Sequence, residues 1–293
     1  MLDGDSRSED TVVDAQKKGP VLGRLDIRFC TQNGTTRLAR LYQSQPLRAL
    51  FPTDPASDNL AIWVNTAGGV VGGDRHYVNV ECGEESAVMV TGQAAEKIYR
   101  SNGATSQLKQ TIDVAPGSWL EWLPQGTILF DGCRLRRTNR FNVSSGGRLL
   151  AGEMITFGRI ARGEKLRHGL IRDDWRLYRD GKLLWVDCLH IEDDMERIFQ
   201  KSAGFCNSTA MGLCLYAADD ASKYINVARQ ILMEQSNASK ETESGASAFN
   251  RFLLIRWLTR NPAELRMNFG TFWAKFRSIV SGNKAILPSL WHI

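Results

Sequence analysis

Residues 175–186 read WRLYRDGKLLWV, and the Asp180-Gly181 pair at their centre decides the fold class. An Asp-Gly step suits the two positive-φ positions of a tight hairpin turn, and the runs on either side alternate like strands. Outward from this hairpin the same pattern recurs. From Leu25 to about Ile191, LDIRF, TRLARLYQ, LAIWVN, HYVNVEC, SAVMVT, SQLKQTIDV, SWLEWLP, TILFD, RLRRTNRFNV, RLLAGEMITF and LLWVDCLHI all read as strands. Asn33-Gly34, Asn102-Gly103, Pro116-Gly117 and Gly146-Gly147 mark turns between them. No ten-residue stretch in this region has a clean helical period, so the body is expected to be all β.

The C-terminal third changes character. Residues 219–236 place Ile225, Ala228, Ile231 and Leu232 on one helical face, with Asp219 or Asp220 as the expected N-cap. SKETESGAS reads as a polar linker, and the apolar run AFNRFLLIRWL as a buried strand. A last helix starts at Pro262 and aligns Leu265, Phe269, Phe272, Trp273, Phe276 and Val280 for core packing. Residues 1–19 are polar and lack aromatics, which predicts a flexible leader before a single domain spanning 20–293.

The 293 residues carry a formal charge of +5, a weak surplus for a polyanion-binding protein. Six cysteines include no C-x-x-C pair, which argues against structural zinc. The polar start MLDGDSRSED does not read as a secretory signal, so reduced, mostly buried thiols and a cytoplasmic location are expected. No apolar run approaches the ~20 residues of a membrane helix.

Residues 65–76, NTAGGVVGGDRH, raise the functional question. Gly68 and Gly73 have Walker A spacing, but Asp74 and Arg75 stand where Lys and Ser/Thr belong, and that carboxylate would repel phosphate. The strand-like RHYVNVEC that follows also excludes the glycine-opened helix of a dinucleotide site. Two readings stay open: a bulged turn between strands, or a close backbone approach that presents Asp74 at its edge. Further carboxylates, Glu96, Asp131, Glu153 and Glu164, stand near strand ends without a His/Cys cage. Such oxygen ligands suit weak visits by divalent cations, whereas tight nickel or zinc sites use imidazole or thiolate. A carbohydrate- or polyanion-active β protein is the alternative, using Glu153 and Glu164 as acid and base or the strand arginines Arg134, Arg136 and Arg140 as a grip.

In order, NTAGGVVGGD, TGQAAEKIYRS, WLEWLPQGTILFDGCRL and GEMITFGRIARGE resemble the urease accessory protein family UreD, called UreH in some organisms. The likeness runs from about Leu25 to Trp291. It implies a mainly β protein, an elongated layered or helical stack of strands with a few α-helices in the C-terminal third. It also implies a non-catalytic maturation factor that binds apo-urease and, through UreF, the GTPase UreG. Such a protein holds no tight cofactor and conducts transient Ni²⁺ along a polar tunnel, with no nucleic-acid or membrane partner. Carried onto this sequence, Asp74, Glu153 and Glu164 line the passage, and Tyr99, Arg100, Ser101 and Asp131 face partners.

Overall fold

The computed structural model describes residues 20–238 and 241–292, so the expected leader lies outside the described residues. In chain order the strands are β1 (Leu22–Gln32), β2 (Thr35–Ser44), β3 (Leu47–Leu50), β4 (Leu60–Asn65), β5 (Arg75–Cys82) and β6 (Ala87–Gly92). They continue as β7 (Glu96–Ile98), β8 (Ser106–Val114), β9 (Trp119–Leu123), β10 (Thr127–Leu129), β11 (Arg134–Val143) and β12 (Arg148–Phe157). The last are β13 (Leu170–Arg179), β14 (Lys182–Glu192), β15 (Ala210–Ala217), β16 (Thr242–Phe249) and β17 (Phe252–Thr259). Three α-helices are described: α1 (Met195–Gln200), α2 (Ile225–Ala238) and α3 (Pro262–Ser281).

Successive central strands alternate between two sheets, and this winds the chain into a solenoid-like stack. One sheet has the order β14-β13-β11-β8-β5-β1-β2. The other runs β16-β17-β15-β12-β9-β6-β4-β3, with the short β10 joining β12 to β7. Pairing is parallel from β1 through β13 in the first sheet and from β4 through β12 in the second. Parallel pairing follows from crossing between sheets, since a strand reaches its neighbour only after the chain has visited the other face. Antiparallel hairpins finish both ends: β1-β2 turns at Asn33-Gly34 and β13-β14 at Asp180-Gly181, all four residues having positive φ.

The inward positions of the two sheets form the main core, including Leu25, Val80, Ile112, Trp122, Phe141 and Leu177. The opposite face of the second sheet packs on α2 and α3. The stripe from Leu265 to Val280 is buried there as expected, and Asn261 caps α3 by accepting from the amides of Ala263 and Glu264. Glu121 and Arg277 form a buried ion pair at 2.7 Å that bolts α3 to β9, and Trp119 and Trp273 donate to the same carboxylate.

Two local expectations need correction, and one strand was not expected at all. Most of the supposed linker SKETESGAS is strand: β16 starts at Thr242 and pairs along β17. The sequence also gave no warning of β15, which lies between the inter-sheet core and the helices and so lacks an alternating pattern. Neither Asp219 nor Asp220 caps the helix through its side chain; Asp219 instead binds Arg179 and the amide of Gly146. Cys82, Cys133 and Cys214 are buried, Cys30 is half-buried, Cys188 and Cys206 are exposed, and all are free. No described helix is long and apolar enough to cross a membrane.

Candidate functional site

The four sequence motifs meet on one flank of the stack. Val70 lies against β7, donating to Lys97 O at 2.8 Å and accepting from Tyr99 N at 2.9 Å. A Cβ on Gly69 would come within 2.3 Å of the Tyr99 ring, and one on Gly72 within 2.2 Å of Ser101 Oγ. The glycines provide clearance for a strap pressed onto residues 97–101, and Gly68, Gly69 and Gly73 also take the positive φ of a turn, so the stretch combines a tight turn with a close backbone approach. Asp74 closes the strap, its Oδ1 accepting from Val21 N at 2.9 Å and its Oδ2 from Val71 N at 3.0 Å. Both oxygens are thus engaged by the backbone, an arrangement that fixes a turn rather than one that lines an open passage.

Beyond the strap, Ser101 N donates to Gly132 O and Gly132 N to His168 O, each at 3.0 Å. Asp131 accepts from the amides of Arg167 and His168 at 2.8 and 3.0 Å and pairs with Arg100 at 3.3 Å. Burial opposes ionisation there, but those two amides hold its carboxyl below the ordinary value. Glu164 accepts from Asp131 N at 3.2 Å and pairs with Arg159, whose hydrogen bond lowers its pKa. Tyr99 packs edge-on to Phe130 at 4.8 Å, beside a cavity of about 640 Å³ rimmed by Lys97, Arg159, Arg162 and Pro262. Tyr99, Arg100, Ser101, Asp131 and Glu164 are therefore one connected surface, with Asp74 behind it.

Glu153 lies elsewhere, between the sheets. On β11 the inward positions are Leu135, Arg137, Asn139, Phe141 and Val143, and on β13 they include Ile171, Asp173, Trp175 and Leu177. Alternation persists, but its inward members turn polar in mid-strand. Arg137 grips Asp173 with two bonds, Nε–Oδ1 at 2.9 Å and Nη2–Oδ2 at 2.8 Å. Its Nη1 reaches Glu153 Oε2 and Thr127 Oγ1, both at 2.9 Å, and Thr127 also bonds Glu153 at 3.1 Å. Asn139 and Trp175 donate to Asp173 as well. Across β10, Glu96 is in register with Thr127 and accepts from Asn65 Nδ2 at 3.0 Å.

A polar layer thus runs from Asn65 through Glu96, Thr127, Glu153 and Arg137 to Asp173. A cavity of about 130 Å³ touches its Glu96 end, lined also by Trp63, Asn65 and Gln93. A second, of about 220 Å³, touches Glu153 and Asp173 at the other end, beside Asp187, Cys188 and Arg256. Arg137 bonds two carboxylates, Asp173 through Nε and Nη2 and Glu153 through Nη1, and acts on Glu96 only at a distance. Burial then pushes Glu96 up to about 7 despite the Asn65 bond, and Glu153 up to about 7 despite Arg137. Burial disfavours the charge on Arg137, yet Asp173 and Glu153 hold its pKa above the ordinary arginine value. The Glu121–Arg277 pair differs, matching one acid with one base.

Sequence reasoning placed Glu153 on the passage and noted Glu96 among the strand-end carboxylates without giving it a role, and it missed Arg137 and Asp173 altogether. The signal was there: Arg137 has the parity of Leu135 and Phe141, and Asp173 that of Ile171 and Leu177. Glu153 and Glu164, the pair weighed for glycoside chemistry, have separate surroundings, one buried against Arg137 and the other bound to Arg159 on the flank. Among the described residues no group of three His, Cys, Asp or Glu is arranged to hold a metal ion.

Comparison with known proteins places the chain among urease accessory proteins. The chain is 38% identical over 274 residues to urease accessory protein UreD of Magnetococcus marinus, covering 93% of this chain and 94% of that protein. It is 37% identical over 259 residues to UreD of Rhodopseudomonas palustris strain BisA53, covering 88% and 86% of the two chains. UreD of Azorhizobium caulinodans is 33% identical over 277 residues, with 94% and 98% covered. The family model for the UreD urease accessory protein matches residues 21–292, and the chain belongs to that family.

Proposed function

We propose that this chain is a non-catalytic scaffold for urease maturation. It binds apo-urease and, through UreF, the GTPase UreG, and conducts Ni²⁺ in the cytoplasm towards the urease active site. The observation that supports conduction most directly is the polar layer between the sheets, with a cavity at each end. Arg137 balances Asp173, and burial favours the protonated form of Glu96 and Glu153, so a divalent ion that displaces their two protons leaves the layer neutral. Carboxylate and hydroxyl oxygens hold a borderline cation weakly, so the ion can leave as readily as it enters.

In this reading Glu96 and Glu153 are the transient ligands, and Arg137 with Asp173 keeps the layer open and fixed. Asp74 and Glu164 act indirectly, Asp74 by closing the strap and Glu164 by fixing the turn at Asp131. Tyr99, Arg100, Ser101 and Asp131 form a partner-facing flank beside the 640 Å³ cavity.

The test is urease activation in cells carrying Glu96→Gln with Glu153→Gln, since glutamine keeps the neutral hydrogen bonds of both sites. Activation is expected to fall at least ~10-fold at limiting nickel and to recover at excess nickel, while the protein still co-purifies with apo-urease. Full activation at limiting nickel would refute conduction along this layer.

A further inference from the structure

The strand CRLRRTNRF carries outward arginines that the polar layer does not use. Their setting becomes visible only in the sheet. On the outer face of the first sheet, Arg136 lies in register with Arg172 and Arg140 with Arg176 across the parallel β11-β13 pair. Along β8 and β5 the Arg136 row continues through Gln107 to Arg75 and the Arg140 row through Thr111 to Asn79. The row between them runs from Thr138 through Lys109 to Tyr77. Arg75, Lys109, Arg136, Arg140, Arg172 and Arg176 thus share one quadrant of the sheet face, with neighbouring strands ~4.8 Å apart. Arg172 is half-buried and the other five are exposed.

The acids do not balance this quadrant. Two acids lie in these rows and each already has a partner: Asp174 pairs with Arg172 at 3.1 Å, and Asp26 on β1, in register with Asn79, pairs with Arg24 at 2.8 Å. Arg140 lies over the Tyr178 ring at 4.0 Å and Lys109 over Tyr77 at 5.7 Å. Like charges placed directly opposite on neighbouring strands destabilise a sheet. The fold thus keeps two such pairs where a solvated face of mixed charge would be more stable. The far end of this face is of mixed charge: Glu81 is in register with Asp113 on one side and with Arg28 on the other, and it pairs with Arg28 at 3.3 Å.

We infer that this quadrant docks an acidic patch on a folded protein partner, its arginines gripping carboxylates in bidentate pairs. One feature favours a protein over a nucleic acid: the faces of Tyr178 and Tyr77 are already covered by cations, so neither ring is bare for base stacking. Naming the partner as apo-urease rests on the maturation reading above; the surface itself does not.

The experiment uses the full chain and three probes: purified apo-urease, poly-L-glutamate and a 20-base-pair DNA duplex. Arg136→Glu with Arg176→Glu is compared with Lys201→Glu plus Lys223→Glu, two exposed lysines on other elements. The arginine variant is expected to weaken binding of apo-urease and poly-L-glutamate at least ~10-fold and to flatten its salt dependence, with less than ~2-fold change in the lysine variant. Equal loss in both variants, or no loss of poly-L-glutamate binding in either, overturns the inference. So does duplex DNA bound as tightly as poly-L-glutamate and lost in the same variant. Specific loss of poly-L-glutamate binding in a chain that never bound apo-urease supports the surface and removes urease as its partner.

Discussion

Glu96 holds its proton in the folded chain over a range where the unfolded chain has released it. Burial moves its pKa from the ordinary 4.5 to about 7, further than the Asn65 hydrogen bond pulls it back. Between those values the native state binds more protons than the unfolded state, so this residue's contribution to stability falls as pH rises and levels off above 7. Glu96→Gln is neutral throughout and can still accept from Asn65. Its unfolding free energy is therefore expected to gain on the wild type between pH 5 and pH 8, by at most about 3 kcal/mol. Urea denaturation at the two pH values measures the gain. A difference that does not change with pH would mean that the carboxyl ionises in the fold as it does in water, and that the layer is wetter than the structure shows. Glu153 shifts in the same direction, but its proton is coupled to Arg137 and Asp173, which makes Glu96 the cleaner probe.

At the scale of elements, glycine sets how closely α3 sits on the second sheet. A Cβ on Gly152 of β12 would lie 2.5 Å from Phe269 Cζ and 2.9 Å from Trp273 Cζ3, so the helix packs where only glycine leaves room. Gly152→Val is expected to cost roughly 1–3 kcal/mol by forcing α3 outward. The shift also strains the bonds from Trp273 and Arg277 to Glu121, and so reddens tryptophan emission. Denaturation followed by fluorescence checks both; an unchanged midpoint would mean that the helix slides at no cost. Much of this element was legible in the sequence, from Pro262 at its start to the aromatic stripe. The hairpins at Asn33-Gly34 and Asp180-Gly181 were equally clear, because turn chemistry is local. What could not be read was register between strands far apart in sequence. Glu96, Thr127, Glu153, Arg137 and Asp173 meet only because parallel rungs stack, and no local pattern records that stacking. β15 was hidden for a related reason, since burial on both faces erases the alternation that announces a strand.

The whole molecule has the weakness of any open stack: its ends present strand edges. At one end β2 leaves Leu38, Leu41 and Tyr42 exposed, with Leu50 and Phe51 close by on the chain. At the other, β14 exposes Leu183, Leu184 and Val186, and β16 exposes Phe249. Edge backbone groups beside apolar side chains template pairing with other chains, and lysine on an edge is a common protection. The isolated protein is therefore expected to self-associate through these ends. Leu41→Lys with Leu50→Lys should raise the monodisperse fraction several-fold in light scattering and move the thermal midpoint by less than ~2 °C, since neither side chain is in the core. Under the maturation reading, co-expression of the unaltered chain with UreF should give a comparable gain by covering apolar surface. An unaltered chain that is already monomeric at high concentration would show that the hairpins at both ends are sufficient caps, and that partner binding draws on the charged sheet face and the motif flank instead.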